Sequence, residues 1–278
     1  MSRRVMLCVD LSYQVYRASA AHPMLTSRRV FTGGLYGFFT TLAKTIRETQ
    51  ATDVVFCQDV KPYLRSLVYP EYKQLRKANR DDELLKMYQQ SMTLVLEVLQ
   101  DLGFIPWGVP GFESDDLIGH VVRKYRGRFH LVYAASNDSD LFQLLDAPNF
   151  RIYTKNILDC ASGVSLMRNT GLTPAEFSLM TALTGTHNDI AGIPKVGPVT
   201  AKNALANPGL MRTLRATHAA LIDRNVGLIK LPHAELPWSL CLPESPKVFN
   251  SRELYKCLGL YDIDVTNSMV QAFEQITQ

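Results

Sequence analysis

Three apolar stretches of the chain run into aspartates. Residues 4–9 lead to Asp10, residues 53–58 lead to Asp59, and residues 130–135 lead through Ser136-Asn137 to Asp138, with Asp140 two positions on. A fourth acidic group, Glu113-Ser114-Asp115-Asp116, stands where a helical pattern begins, and helical spacing puts Glu113 and Asp116 on one face with Asp115 to the side. In an open parallel sheet, ligands bind beyond the carboxyl ends of the strands, so these seven carboxylates are expected at one edge. So many like charges stay ionised together only if cations neutralise them. Oxygen donors without Cys or His select Mg²⁺ or Mn²⁺. Two such ions about 3.5–4 Å apart clamp an in-line phosphoryl displacement. Each piece alone has a plainer explanation, since acids at a helix start complement its dipole and an Asp after a strand is ordinary turn chemistry. Their convergence on one edge points to metal-dependent phosphoryl chemistry.

Two other stretches suit a phosphate-rich ligand. Lys61, Arg65, Lys73, Arg76, Lys77 and Arg80 are interleaved with Tyr63, Tyr69 and Tyr72 between the second strand pattern and a long helix. Positive charge lets a phosphodiester approach carboxylates, and rings such as Tyr72 can stack unpaired bases; the competing reading is a solvated basic helix. Gly192-Ile193-Pro194-Lys195-Val196-Gly197-Pro198-Val199-Thr200-Ala201 reads as a helix-hairpin-helix turn. Its glycines, Gly197 included, let the backbone approach a phosphate, and the next helix offers its N–H groups. Such a turn grips duplex backbone without reading sequence, with Lys195 and Lys202 as phosphate contacts; a plain tight turn is the alternative.

The elements that must position these residues alternate. Strand patterns at 4–9, 53–58, 104–107 and 130–135 are separated by helical patterns at 33–48, 81–102 and 113–125. This alternation predicts an α/β class with a mostly parallel central sheet flanked by helices, ending near residue 165. The second half is helical: Thr173-Pro174-Ala175-Glu176 opens a helix with a capping box, and 232–246 reads as a loop. With 46% hydrophobic residues the chain can bury a sizeable core. No stretch of about 18 apolar residues predicts a membrane span. Five scattered cysteines without a CxxC pair predict reduced thiols and no zinc site.

Together these residues resemble the 5′-nuclease family, which includes the 5′-exonuclease domain of bacterial DNA polymerase I, bacteriophage 5′-exonucleases and flap endonucleases. The matching pieces come in the family's order: Val9-Asp10-Leu11-Ser12 with Tyr16-Arg17, Tyr36-Gly37, Gln58-Asp59, Tyr72-Lys73-Gln74-Leu75-Arg76, Gly111 to Asp116, Ser136 to Leu141, Gly185 to Ala201 and, more weakly, Asn225 to Pro232. The resemblance implies a PIN-like nuclease domain at 1–165 with a helical arch near 61–80, and a helical duplex-binding region at 166–278 with its hairpin turn at 189–205. It implies two metal clusters. Asp10, Asp59, Glu113 and Asp115, with Asp116 or Asp138 at a shared position, look like the first; Asp138, Asp140 and Asp189 look like the second. Lys73 and Arg76 match arch residues that contact the scissile phosphate, and the carbonyls of Gly192, Ile193 and Val196 match a K⁺ site between protein and phosphate. One departure stands out: where the family reads Gly-Asp-x-x-Asp, this chain has Gly185-Thr186-His187-Asn188-Asp189, so Thr186 removes one carboxylate from the second cluster. His187 could substitute through a water; the competing reading is a polar loop residue, since hard metals favour oxygen.

The expected molecule is therefore a stand-alone monomeric nuclease, since a polymerase portion does not fit in 278 residues. It would use two Mg²⁺ ions, with Mn²⁺ able to substitute. It would cut branched or flapped DNA, or an RNA–DNA hybrid, at 5′ single-strand/duplex junctions in primer or flap removal. The place would be a bacterial cytoplasm, or that of a phage's host. Setting aside the eight acids of both clusters leaves 18 acids against 30 Lys and Arg, a remaining surface of about +12, which suits such a partner. Thr186 motivates an alternative, a junction-binding homologue with weakened catalysis. A smaller acidic ribonuclease is a further rival, against which the arch and the hairpin count.

Overall fold

The computed structural model describes residues 3–74, 81–186, 188–237 and 240–277. Strand β1 (Val5–Asp10) is buried along its whole length. Val5, Leu7 and Val9 join one core cluster and Met6 and Cys8 the other, as the two-residue period of a strand requires when helices cover both faces. β1 pairs in parallel with β4 (Asp53–Gln58) on one side and β6 (Leu131–Ala135) on the other, so that Cys8 lies opposite both Val55 and Ala134. With β5 (Trp107–Gly108) and β7 (Phe150–Tyr153) the sheet reads β5-β4-β1-β6-β7. A small antiparallel ribbon, β2 (Thr26–Ser27) with β3 (Val30–Phe31), stands apart. The chain builds outward from β1 to β5, then restarts on the other side of β1 with β6. The order reverses between β1 and β6, which is where an α/β sheet opens a crevice for ligands.

On the first face lie α1 (Leu11–Ala21), α2 (Gly33–Thr49) and α4 (Asp82–Asp101). The carboxylate of Asp81 caps α4 by accepting from the N–H groups of Glu83 and Leu84. Between β4 and α4 the chain makes a short helix, α3 (Leu64–Val68). On the second face α5 (Ser114–His120) passes into a π-helical turn, Val121–Tyr125, so the single helix expected over 113–125 is split. The helical second half contains α6 (Gly163–Thr170), α7 (Pro174–Thr184), α8 (Pro198–Ala206) and α9 (Pro208–Ile229), the last three opening on proline, whose missing N–H costs a helix start nothing.

Two features depart from the sequence reading. Only Trp107–Gly108 pairs in the expected strand at 104–107, whereas β7 and the ribbon were not anticipated. More consequentially, residues 166–278 do not stand as one body. α10 (Ser251–Gly259) and α11 (Asn267–Gln275) return to the first core, where Leu254, Leu258, Met269 and Phe273 are buried in the same cluster as Phe38, Phe39 and Phe104. The Phe273 ring lies 5.9 Å from those of Phe39 and Phe104. Both helices carry an apolar stripe, and the face beside α2 and α4 covers it. Among the described residues no helix is long and apolar enough to cross a membrane.

Candidate metal centre and nucleic-acid interface

The strand ends deliver the acids as the sheet order requires. Asp10 ends β1 and caps α1: its Oδ1 accepts from the Tyr13 N–H at 3.0 Å and the Ser114 hydroxyl at 2.9 Å, its Oδ2 from the Ser136 hydroxyl at 3.2 Å. Asp59 follows β4 and accepts from the Ser114 N–H at 2.7 Å, so Ser114 ties two strand ends to the start of α5. Asp138 caps the 3₁₀ helix Ser139–Asp146, accepting from the Asp140 N–H at 2.8 Å. Among the described residues the Asp140 carboxylate receives only a long contact, 3.4 Å, from the Asn188 amide. The Asp115 Oδ1 is buried and has no hydrogen-bond partner among the described residues.

These acids feel one another. Burial, reinforced by Asp59, pushes the Asp10 carboxyl up to about 7. Burial and then Asp138 push Asp140 up to about 7. Burial, with Asp138 and Asp10, drives Asp115 well above the usual carboxylate range. Among the described residues no three such groups close into a finished metal cage as the side chains stand. The fold supplies a crowd of oxygen donors whose shared charge a cation would relieve.

Glu113 and Asp116 belong to a different arrangement. Arg65, on α3 and only 5% exposed, reaches both. Its Nη1 donates to Asp116 Oδ2 at 2.6 Å and Glu113 Oε2 at 3.0 Å, its Nη2 to Asp116 Oδ1 at 2.8 Å. Asp116 also accepts from the N–H groups of Glu113, at 3.1 Å, and His233, at 2.7 Å. Four donors fill the four lone-pair directions of one carboxylate, so Asp116, expected as a ligand at the shared position, offers a cation no open lone pair as the side chains stand. Burial by itself would lower the Arg65 pKa, but Asp116 and Glu113 overcome it and hold the guanidinium charged. Glu113 keeps one oxygen apart: Oε2 takes Arg65 and the Tyr72 hydroxyl, at 2.8 Å, while Oε1 pairs with the Lys73 ammonium.

The basic stretch is therefore only in part what its composition suggests. Tyr72, expected to stack on bases, is buried with Ala182, Ile190, Leu228 and Ile229, and its hydroxyl is committed to Glu113. Lys73 sits at the acid cluster with a left-handed backbone, φ 58°, its N–H bonded to the Asn188 carbonyl at 3.1 Å. Arg76, Lys77, Arg80 and His187 lie outside the described residues. Asp189 is half-buried at φ 63°, a conformation Asp tolerates better than most residues. It stands one residue from Asn188, which joins its loop to Asp140. The hydroxyl of Thr186 accepts from the Asn188 N–H at 3.1 Å and closes that loop locally.

The hairpin forms a tight corner. Gly192 is packed so closely that an added Cβ would lie 2.2 Å from the Thr184 carbonyl carbon. The Ile193 N–H donates to the Leu183 carbonyl and the Val196 N–H to that of Ile193. Lys195, at φ 65°, and Gly197 are exposed, with open space where a Gly197 side chain would stand. Lys202 donates to the Thr170 carbonyl at 2.7 Å, which turns its ammonium toward the end of α6. The sequence reading did not foresee the roles of Arg65, Ser114 and Ser136. Arg65 was visible only as one basic residue among six.

Comparison with known proteins bears on this geometry. The family described as 5′-3′ exonuclease, N-terminal resolvase-like domain, matches residues 5–171. The chain is 29% identical over 210 residues to DNA polymerase I of Mycobacterium tuberculosis, an alignment that covers 74% of this chain and 23% of that protein. The chain thus spans about a quarter of the length of such relatives. It is 27% identical over 204 residues to a 5′-3′ exonuclease of Buchnera aphidicola, covering 72% of this chain and 69% of the relative. Its fold is similar to that of the bacteriophage T5 flap endonuclease solved with DNA and metal ions, at a TM-score of 0.69 with 17% identity and 98% of each chain covered.

Proposed function

Because the chain belongs to the 5′-3′ exonuclease family, we propose that it hydrolyses phosphodiesters at 5′ single-strand/duplex junctions with two divalent ions, Mg²⁺ first and Mn²⁺ as a substitute. The observation that carries this reading is the Asp115 carboxylate, buried among acids that burial and mutual repulsion push upward, Asp10 and Asp140 to about 7, with one oxygen that accepts no hydrogen bond among the described residues. All-oxygen donors fit a hard cation. Asp10, Asp59, Glu113 and Asp115, with Asp138 at the shared position, would hold one ion. Asp138, Asp140 and Asp189 would hold the other with one carboxylate fewer, because of Thr186. When bound, such ions polarise a phosphate and activate water.

The chain's own residues do the rest. Arg65 and Tyr72 fix one oxygen of Glu113 and leave the other toward Lys73. The Lys73 ammonium neutralises the approaching scissile phosphate and the charge that builds on it, with Arg76 beside it in sequence. Lys195, Gly197 and the backbone around 192–201 grip duplex phosphates, with Gly192, Ile193 and Val196 offering carbonyls to K⁺. The substrates would be branched or flapped DNA and RNA–DNA hybrids met in primer or flap removal, handled by a monomer in a bacterial or phage-infected cytoplasm. Thr186 motivates the non-catalytic alternative, and the buried acids retained around Asp115 argue against it. The test is incubation with a labelled 5′-flap duplex with and without Mg²⁺: Mg²⁺-dependent cuts near the junction support the proposal, and an intact flap, or cutting that persists in excess EDTA, refutes it.

A further inference from the structure

Asn225 to Pro232, the weakest piece of the family resemblance, has no part in the chemistry proposed above, yet the acid cluster holds on to it. Arg65 donates from Nε to the Leu228 carbonyl at 2.7 Å and from Nη2 to the Lys230 carbonyl at 3.2 Å. Gln143 donates to the Ile229 carbonyl at 2.8 Å and accepts from the Leu231 N–H at 2.9 Å. Asp116 accepts from the His233 N–H at 2.7 Å. Each of these side chains also engages the acid site: Arg65 through Glu113 and Asp116, Gln143 through the Asp140 carbonyl, and Asp116 through the N–H of Glu113. At the other end of the segment the Asn225 amide donates to the carbonyls of Ala182 and Ala191, which flank the loop carrying Asp189.

We infer that Arg65 is a positioning residue: it clasps residues 228–233 to the acid cluster, fixes the orientation of Glu113, and thereby couples the end of α9 to the metal-facing carboxylates. Its guanidinium is the hub because a planar fork reaches two carboxylates and two carbonyls at once, which an ammonium cannot do. The paired charges are buried, with Arg65 5%, Glu113 4% and Asp116 1% exposed, so water does not replace a lost bond. Asp116 is the counter-charge of this hub. The effect on metal binding rests on the nuclease reading, whereas the clasp itself does not.

Arg65→Met alone leaves Asp116 buried and unpaired and endangers the fold, so the decisive protein is the double variant Arg65→Met/Asp116→Leu, which removes both charges. Amide hydrogen exchange is compared in EDTA for Leu231 and for β1, followed by calorimetric titration with Mn²⁺. Leu231 is the informative amide because its acceptor, Gln143, is untouched. The expected result is unchanged protection in β1, exchange at Leu231 faster by about tenfold or more, and Mn²⁺ affinity weaker by about tenfold, the usual cost of losing a group that orients a metal ligand. Arg65→Lys keeps the charge but not the fork, and is expected to restore neither value. Wild-type exchange at Leu231 together with wild-type Mn²⁺ affinity in the double variant would overturn the inference and leave Arg65 as a structural ion pair. A wild-type protein that neither binds Mn²⁺ nor cuts flaps would overturn the nuclease reading and with it the metal effect; exchange at Leu231, which needs no metal, would still decide the clasp.

Discussion

On one side of the acidic cluster Asp116 accepts four hydrogen bonds, two of them from a buried arginine; on the other, its neighbour Asp115 keeps a buried oxygen that accepts none among the described residues. The two are adjacent in sequence and start the same helix. What separates them is the supply of charge. Among the described residues no Lys or Arg forms an ion pair with Asp10, Asp59, Asp115, Asp138 or Asp140, whereas Glu113 and Asp116 share Arg65, and Glu113 has Lys73 as well. A carboxylate whose lone pairs are filled is part of the frame. On the nuclease reading proposed above, one that is buried, crowded by like charge and short of donors is reserved for a cation. Two acids of one type in one motif thus take different roles from their surroundings.

The largest expected effect tests the reserved side. Asp115→Asn should leave the protein folded, with a metal-free melting temperature equal to or above the wild type because like charge is removed. It should lower single-turnover flap cleavage at least about a hundredfold, the scale of several kcal/mol of lost charge stabilisation. Near-wild-type cutting would erase the distinction. On the frame side the damage should fall on stability. Asp116→Leu leaves Arg65 buried without its main partner and should cost about 3–5 kcal/mol in urea unfolding in EDTA, and Asp116→Asn less, since the amide oxygen can still accept. A metal-free protein stabilised by either change would place Asp116 with the reserved acids after all.

Much of this arrangement was legible in the sequence. The strand ends at Asp10, Asp59 and Asp138 follow from apolar runs that stop at an acid, and the parallel order follows from their alternation with helices. What stayed hidden depends on distant pairing. Arg65 lies 51 positions before Asp116 in a stretch whose composition reads as solvated, and nothing in spacing says that one of six basic residues turns inward. Tyr72 was misread for the same reason: a tyrosine among lysines looks exposed until the apolar residues that bury it, from α7 and α9, are in place. The amphipathic pattern of α10 and α11 says that they pack, but not that they pack on the first half of the chain.

Smaller effects refine the comparison. Thr186→Asp restores a carboxylate on the reserved side, and an Asp there can still accept from the Asn188 N–H as the threonine does. The Mg²⁺ concentration for half-maximal cleavage should fall several-fold, and an unmoved titration curve would show that the second ion does not use this position. The smallest effect is a pH slope. Asp10 and Asp140, pushed up to about 7 in the fold, titrate near 3.9 when unfolded. Their protonation stabilises the fold fully below about pH 4, and that contribution is lost as pH rises through about 7. In EDTA the melting temperature should therefore fall between pH 5 and pH 8, and saturating Mg²⁺ should flatten the slope; a rise over that window would contradict the crowding of the reserved acids.

The most direct test of that division is a calorimetric titration of Mn²⁺ into DNA-free wild-type protein and into Asp115→Asn. Saturable binding by the wild type and an affinity loss of at least about tenfold in the variant are expected if the cation uses the Asp115 oxygen, as proposed. Superimposable isotherms for the two proteins would contradict that proposal.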